Sequence, residues 1–223
     1  MCFSATASFG ASAVLIPLGI LCVKKVVASR QPSWLFAIIP LVFGIQQVIE
    51  GFIWLELGYG MGGNPRLPAL GFVFFSHLFW QVWIPFACYV AETDGPRRKL
   101  FLGLMFLGAV HGAMIYVPLW FHPDWLVVEL VKHSIAYRLT FFYDDVIPVD
   151  ILRGLYALTV LLPLLLSSDR TIRLFGVFVV ISAVISALFF SYAFISVWCY
   201  FAAVLSLYIY YVMYPLRVSV VNP

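Results

Sequence analysis

The chain has 223 residues, of which 64% are hydrophobic and 10% charged, and its mean hydropathy is +1.03. A soluble globular domain carries about 25% charged residues, so the composition excludes that class and indicates a protein of the membrane interior. The net charge of +3 is too small to predict nucleic acid as a partner.

Seven segments are apolar over about the 20 residues that a transmembrane helix needs. They are Phe9–Val23, Trp34–Leu57, Ala69–Val90, Leu100–Leu119, Pro148–Leu166, Ile172–Phe190 and Tyr192–Tyr214. The sequence therefore predicts an all-α fold, a seven-helix transmembrane bundle that forms a single domain over residues 1–223.

Basic residues cluster after alternate spans, which predicts the orientation of the bundle. The clusters are Lys24, Lys25 and Arg30; Arg97, Arg98 and Lys99; Arg170 and Arg173; and Arg217. Because positive loops stay in the cytoplasm, we expect the N-terminus outside and the C-terminus in the cytoplasm. Short loops at 92–99 and 167–173 join antiparallel neighbours, and the SSD stretch at 167–169 predicts an N-cap for the sixth span.

One connection is long, at residues 122–147, and the orientation places it outside the cytoplasm. Trp125–His133 is expected to form a helix at the membrane interface, and Ser134–Phe142 alternates loosely and is expected to be extended. Such a loop either caps a site that opens on that side or is a plain surface crossover.

Polar side chains interrupt the second span in the string GIQQVIEGFIW. Glu50 follows Gln46 by four residues and Gln47 by three, and it precedes Trp54 by four. At this spacing the four side chains can lie on one stripe of a helix. A charge inside a span costs about 2.5–3.5 kcal/mol on insertion scales and usually faces the bundle interior, where it marks function.

Other polar residues fall at a similar depth, roughly 10–15 Å below the outer surface at 1.5 Å per helical residue. These are His77 and Gln81 on span three, His111 on span four and Cys199 at the start of span seven, with Ser182 and Ser186 on span six. The sequence predicts one buried polar site in the outer half of the bundle. The plainer alternative is that the glutamines, serines and histidines hydrogen-bond neighbouring helices.

Cys2 could become the first residue if the initiator methionine is removed, which would join a free amine and a thiol on one residue. Such an end can chelate a metal or act as a nucleophile with its own amine as base. The alternative is an ordinary terminal cysteine. None of the four cysteines forms a CxxC pair, so a disulfide framework is not expected.

The opening MCFSATASF and the string FGIQQVIEGFIWL at 43–55 resemble an uncharacterised family of bacterial multispanning membrane proteins that begin MCFSA. The resemblance implies a multi-pass protein of the bacterial inner membrane. It marks Cys2, Gln46, Gln47, Glu50 and Trp54 as motif positions and assigns them no roles.

Four functions follow from these residues. In the first, His77, His111, Glu50 and Cys2 bind Zn, Cu or Fe, with Glu50 and Cys2 also catalytic in a metal-dependent hydrolase. Its ligand, a lipid or another small molecule, would meet Gln46, Gln47, Trp54, Gln81 and Cys199. The others are a small transporter or proton or cation relay, a haem b protein with His77 and His111 as axial ligands, and a bundle that only partners other membrane proteins.

Overall fold

The computed structural model describes residues 4–29, 34–58, 65–140 and 148–213, and these are mostly helical. Cys2, Arg30, Arg217 and the 141–147 part of the long connection lie outside these ranges. The helices are α1 Ala5–Ser29, α2 Trp34–Ala37, α3 Ile39–Gly58, α4 Arg66–Val73, a π-helix Phe74–Phe79, α5 Trp80–Ala91, α6 Gly95–Tyr116, α7 Pro118–Phe121, α8 Val149–Leu166, α9 Arg170–Phe189, α10 Phe194–Leu205 and α11 Leu207–Met213.

Six stretches of these helices are long and apolar enough to cross a bilayer. They are Ala5–Val26, Trp34–Gly58, Arg66–Ala91, Gly95–Phe121, Arg170–Phe189 and Ser191–Tyr211. Of the seven predicted spans, the fifth is the exception, because the apolar stretch of α8, Ile151–Leu166, is shorter. The prediction of helical spans is thus confirmed for six segments by length and composition.

The second span lies at the centre of the bundle. It is 67% buried over its most apolar window, against 28% for the first span. α1 packs chiefly against α3, where the absence of a side chain at Gly19 lets the backbone of Leu41 approach. The face of α3 that carries Gln46, Gln47 and Glu50 is buried, whereas Ile45 and Phe52 on the same helix are exposed.

A second close approach joins the third and fourth spans. A Cβ atom at Gly108 would overlap the carbonyl oxygen of Gln81, and one at Gly112 would lie 2.7 Å from the carbonyl oxygen of His77. The two backbones therefore touch along one turn of α6. The facing segment includes the π-helix, a local widening that is frequent at functional sites.

The long connection folds as a β-hairpin, so the helix predicted for Trp125–His133 is wrong. Strand β1 runs from Leu126 to Val131 and pairs antiparallel with β2, Ser134 to Leu139, which confirms the extended prediction for that part. Lys132 and His133 form the two-residue turn with φ of 47° and 60°, the left-handed conformation that matches the twist of a hairpin. The fold is a helical bundle with one hairpin at one end.

At the opposite end of the bundle, Glu92 joins two loops. It is buried and accepts hydrogen bonds from the backbone nitrogens of Thr93 (2.9 Å), Asp94 (3.0 Å) and Ser168 (2.8 Å). Asp169 accepts from Thr171 N and thereby caps α9, as predicted. Burial alone would raise the pKa of Glu92, but the hydrogen bonds outweigh burial and hold that pKa below its ordinary value of 4.5.

Glu92→Gln is expected to lower the free energy of unfolding by about 1.5–3 kcal/mol at pH 7, since it removes charge-assisted hydrogen bonds. Because the pKa of Glu92 is lowered by folding, its stabilising contribution is complete above pH 4.5 and is lost as the pH falls below that value. Melting followed by tryptophan fluorescence in detergent should show the two proteins converging in acid. Glu129→Gln, which alters an exposed ion pair with Arg138, is the control and should change stability by less than about 1 kcal/mol at every pH. A difference between Glu92→Gln and wild type that persists unchanged in acid would contradict this account.

Candidate functional site

Glu50 lies on α3 at the hairpin end of the bundle and is completely buried. Gln47 Nε2, one turn earlier, donates to Glu50 Oε2 at 3.0 Å, and Ser196 Oγ on α10 donates to Oε1. No Lys, Arg or His side chain of the described residues lies within ion-pair distance of this carboxyl group. A lone buried carboxyl group without a cation is costly if ionised.

Several buried polar atoms on Tyr137 and on the residues of α3 within about one turn of Glu50 have no hydrogen-bond partner in the described part of the chain. They are Gln47 Oε1, Trp54 Nε1, Tyr137 Oη and Gln46 Nε2. Trp54 follows Glu50 by one helical turn, and the predicted stripe of Gln46, Gln47, Glu50 and Trp54 is buried throughout. Since buried polar groups are normally paired, this group of atoms indicates a site that a bound molecule would complete.

Gln46 and Cys199 form the inner border of the Glu50 site. Trp80 Nε1 on α5 donates to Gln46 Oε1 at 2.9 Å, which fixes the glutamine amide and turns its nitrogen away from the indole. The Cys199 thiol on α10 lies beside both Gln46 and Glu50 and is free of any disulfide. The structure thus brings the predicted Cys199 into the site.

The hairpin covers the Glu50 site. Tyr137 of β2 is buried and its ring stacks on Phe72 of α4, with centroids 4.6 Å apart and planes 3° from parallel. Together with Trp54 and Cys199 these rings belong to one apolar cluster. Burial raises the pKa of Tyr137 well above its usual range, and the nearby Glu50 and Cys199 add to this, so its hydroxyl stays neutral and can donate.

A second polar network is centred on Gln81. Its Nε2 donates to the backbone carbonyl of His77, and its Oε1 accepts from Thr159 Oγ1 at 3.1 Å and pairs with His111 Nδ1 at 2.7 Å. Because this oxygen can only accept, Nδ1 of His111 carries the proton, and in a neutral ring Nε2 is then an acceptor. That nitrogen is buried and has no partner among the described residues.

His77 takes part in this second network and not in the Glu50 site. Its Nδ1 pairs with Ser76 Oγ at 2.9 Å within the π-helix, and its ring lies 6.2 Å from that of Tyr156, centroid to centroid. The contacts at Gly108 and Gly112 press the backbones of the two histidine-bearing helices together. Both imidazoles hydrogen-bond to neighbouring side chains of the bundle, and haem binding by His77 and His111 stays a prediction.

The predicted metal set is not assembled in the part of the chain that the structure describes. Within it, no group of three or more His, Cys, Asp or Glu side chains is placed to bind one ion. Gln47 and Ser196 donate hydrogen bonds to the Glu50 carboxyl group. Gln81 pairs with the imidazole of His111, and Ser76 pairs with that of His77. Cys2, the fourth predicted ligand, lies outside the described residues.

Between the Glu50 site and the Glu92 end lies an apolar cavity of about 40 Å³. Its wall includes Phe43, Trp80, Val160, Phe175 and Trp198, and Phe43 stacks on Trp80 at 4.2 Å. This volume holds about one small molecule the size of water and offers it few polar partners. Its surface is almost entirely apolar, and its lining also includes Cys199 of the Glu50 site and Tyr156, which lies beside His77.

Polar residues of these two sites that were not predicted from the sequence include Ser196, Tyr137, Thr159 and Ser76. Ser182 and Ser186, which the sequence analysis named, instead bond the carbonyls of Val179 and Ser182 on their own helix. The available signal for Ser196 was its spacing, since it precedes the predicted Cys199 by three residues at the start of the last span. Nothing in the sequence distinguishes Tyr137 from the other tyrosines.

Residues 1–220 match the model of a family of unknown function, DUF6629, and the chain belongs to that family. Neither a curated protein nor a solved structure matches the sequence.

Proposed function

We propose that this member of a family without an assigned function is a multi-pass membrane protein that binds a small polar group at Glu50. That group is either the headgroup of a lipid or a free molecule of the same chemistry. The observation that carries the proposal is a fully buried carboxyl group, without a cationic partner, beside unpaired atoms of Gln47, Trp54 and Tyr137.

The proposed topology has seven spans, with the N-terminus outside and the C-terminus in the cytoplasm of a bacterial cell, in the inner membrane. Six long apolar helices and the shorter α8 supply the spans. Lys24, Lys25, Arg97 and Arg173 lie towards the Glu92 end, which by the positive-inside rule is cytoplasmic. The hairpin then covers the Glu50 site from the outer side.

Binding accounts for the site better than conduction does. A proton or cation relay needs polar groups that continue across the bundle, whereas the cavity on the inner side of the Glu50 site is lined by apolar side chains. The hairpin, by contrast, suits a binding protein, since β1 contacts α4 and α3, which carries Glu50, while β2 contacts α10, which carries Ser196. A movement of this hairpin would admit and then enclose a ligand.

The proposal is tested by extracting what the protein retains. Wild type, Glu50→Gln and the control Glu129→Gln are purified in mild detergent, and bound molecules are extracted and quantified by mass spectrometry. We expect one species at near-equal molar amount in wild type and control, reduced at least about tenfold in Glu50→Gln, because a charge-assisted hydrogen bond contributes about 1.5–3 kcal/mol. Equal amounts in all three proteins, or no retained species in any, would overturn the proposal.

A further inference from the structure

We infer that the group bound beside Glu50 is a protonated amine that keeps N–H donors, which distinguishes it from an anionic or a quaternary ammonium group. The inference rests on the proposed function, because it names the chemistry of the ligand for that same site.

The charges of the site favour a cation. Both oxygens of Glu50 already accept one hydrogen bond each from neutral donors, Gln47 and Ser196. These two donors stabilise a negative charge without neutralising it. No basic side chain of the described residues reaches the carboxyl group, so an anionic ligand would meet repulsion, whereas a cationic ligand would supply the missing counter-charge.

The hydrogen bonds favour a cation that can donate. Because Gln47 Nε2 is held by Glu50, the amide orientation is fixed, and Gln47 Oε1 remains a buried acceptor without a donor. Each carboxylate oxygen also keeps a second lone pair. An alkylammonium group offers up to three N–H donors and satisfies these acceptors together, whereas a trimethylammonium group offers none.

The aromatic residues fit the same ligand. Trp54, Phe72 and Tyr137 belong to one buried cluster. Of these, Tyr137 is close enough to Glu50 to interact with it electrostatically, and aromatic faces attract ammonium groups. Trp54 Nε1 and Tyr137 Oη are unpaired, and both can donate to an oxygen atom near the amine. A primary amine with a hydroxyl or ester oxygen two carbons away, as in an ethanolamine group, carries both features.

The test compares lipids that share acyl chains and differ only in headgroup. Delipidated protein is titrated with phosphatidylethanolamine, phosphatidylcholine and phosphatidylglycerol, and separately with free ethanolamine, and occupancy is measured by native mass spectrometry. We expect the ethanolamine lipid to bind at least about tenfold more tightly than the other two. If free ethanolamine displaces that lipid, the amine itself is sufficient for binding. If it does not, the amine must be carried by a lipid. Both outcomes support the inference.

Two variants separate the possible failures. Glu50→Gln should abolish the preference for the ethanolamine lipid, Gln47→Met should weaken it while the carboxyl group remains, and Glu129→Gln should leave it unchanged. Tight binding of the choline or glycerol lipid that still depends on Glu50 would overturn the amine and leave the proposed binding function standing. Binding of every probe that is indifferent to both Glu50→Gln and Gln47→Met would overturn the inference and the proposed function together.

Discussion

Gly108→Val is expected to prevent the bundle from assembling, with a loss of more than about 3 kcal/mol of stability. A Cβ atom at this position would overlap the backbone carbonyl oxygen of Gln81, which cannot move aside as a flexible side chain could. The substitution would also separate Gln81 from His111 and Thr159. Size-exclusion chromatography and thermal unfolding monitored with a thiol-reactive dye would measure the effect, since Cys22, Cys88 and Cys199 are free and buried.

Gly103→Val on the same helix is the matched control. Nothing lies within 4 Å of a Cβ atom at Gly103, so the same change of residue type should leave the melting temperature nearly unchanged. If both valine variants behave alike, the close contact between the third and fourth spans does not determine stability.

Tyr137→Ala is expected to release the hairpin from the bundle, because it removes the buried ring that stacks on Phe72. Deleting a buried aromatic side chain typically costs about 3–5 kcal/mol. Hydrogen exchange of the backbone amides in residues 126–139 should therefore accelerate strongly in ligand-free protein.

Tyr137→Phe separates the ring from its hydroxyl group. The hydroxyl has no partner among the described residues, so its removal should leave the ligand-free protein as stable as wild type, or slightly more stable. Fast exchange in both variants would mean that the hydroxyl holds the hairpin, and slow exchange in both would mean that Tyr137 does not.

Six of the predicted spans agree with helices that are long and apolar enough to cross a membrane. They could be predicted because an uninterrupted run of about 20 apolar residues is typical of a transmembrane helix. The hairpin could not, because the string LVVELV satisfies a helical period as well as a strand period. Its turn, Lys132–His133, lacks the glycine or asparagine that normally marks a two-residue hairpin turn. The β-branched valines were the one signal that favoured a strand.

Contacts within one helix of the candidate site could be predicted from residue spacing, whereas the direction in which each helix turns its side chains could not. Gln47 and Glu50 are three residues apart, so their hydrogen bond follows from helical geometry alone. His77 and His111 lie at a similar depth, yet their helices turn them towards Gln81 and Ser76 instead of Glu50. Which way a helix faces depends on tertiary packing, here on glycines that let α6 approach the third span.

The hydrogen bond from Ser196 to Glu50 joins residues 146 positions apart, which has a consequence for biosynthesis. The ribosome delivers the second span long before the last one, and chains are made from the N-terminus. During that interval, Gln47 has already been synthesised, whereas Ser196, the second donor to Glu50, has not. Glu50 therefore has only one of its two hydrogen-bond donors until translation is nearly finished. The hydrogen bonds to Glu50 are complete only after the last helix has been made, so a chain that terminates before Ser196 would have one of the two donors to this carboxyl group.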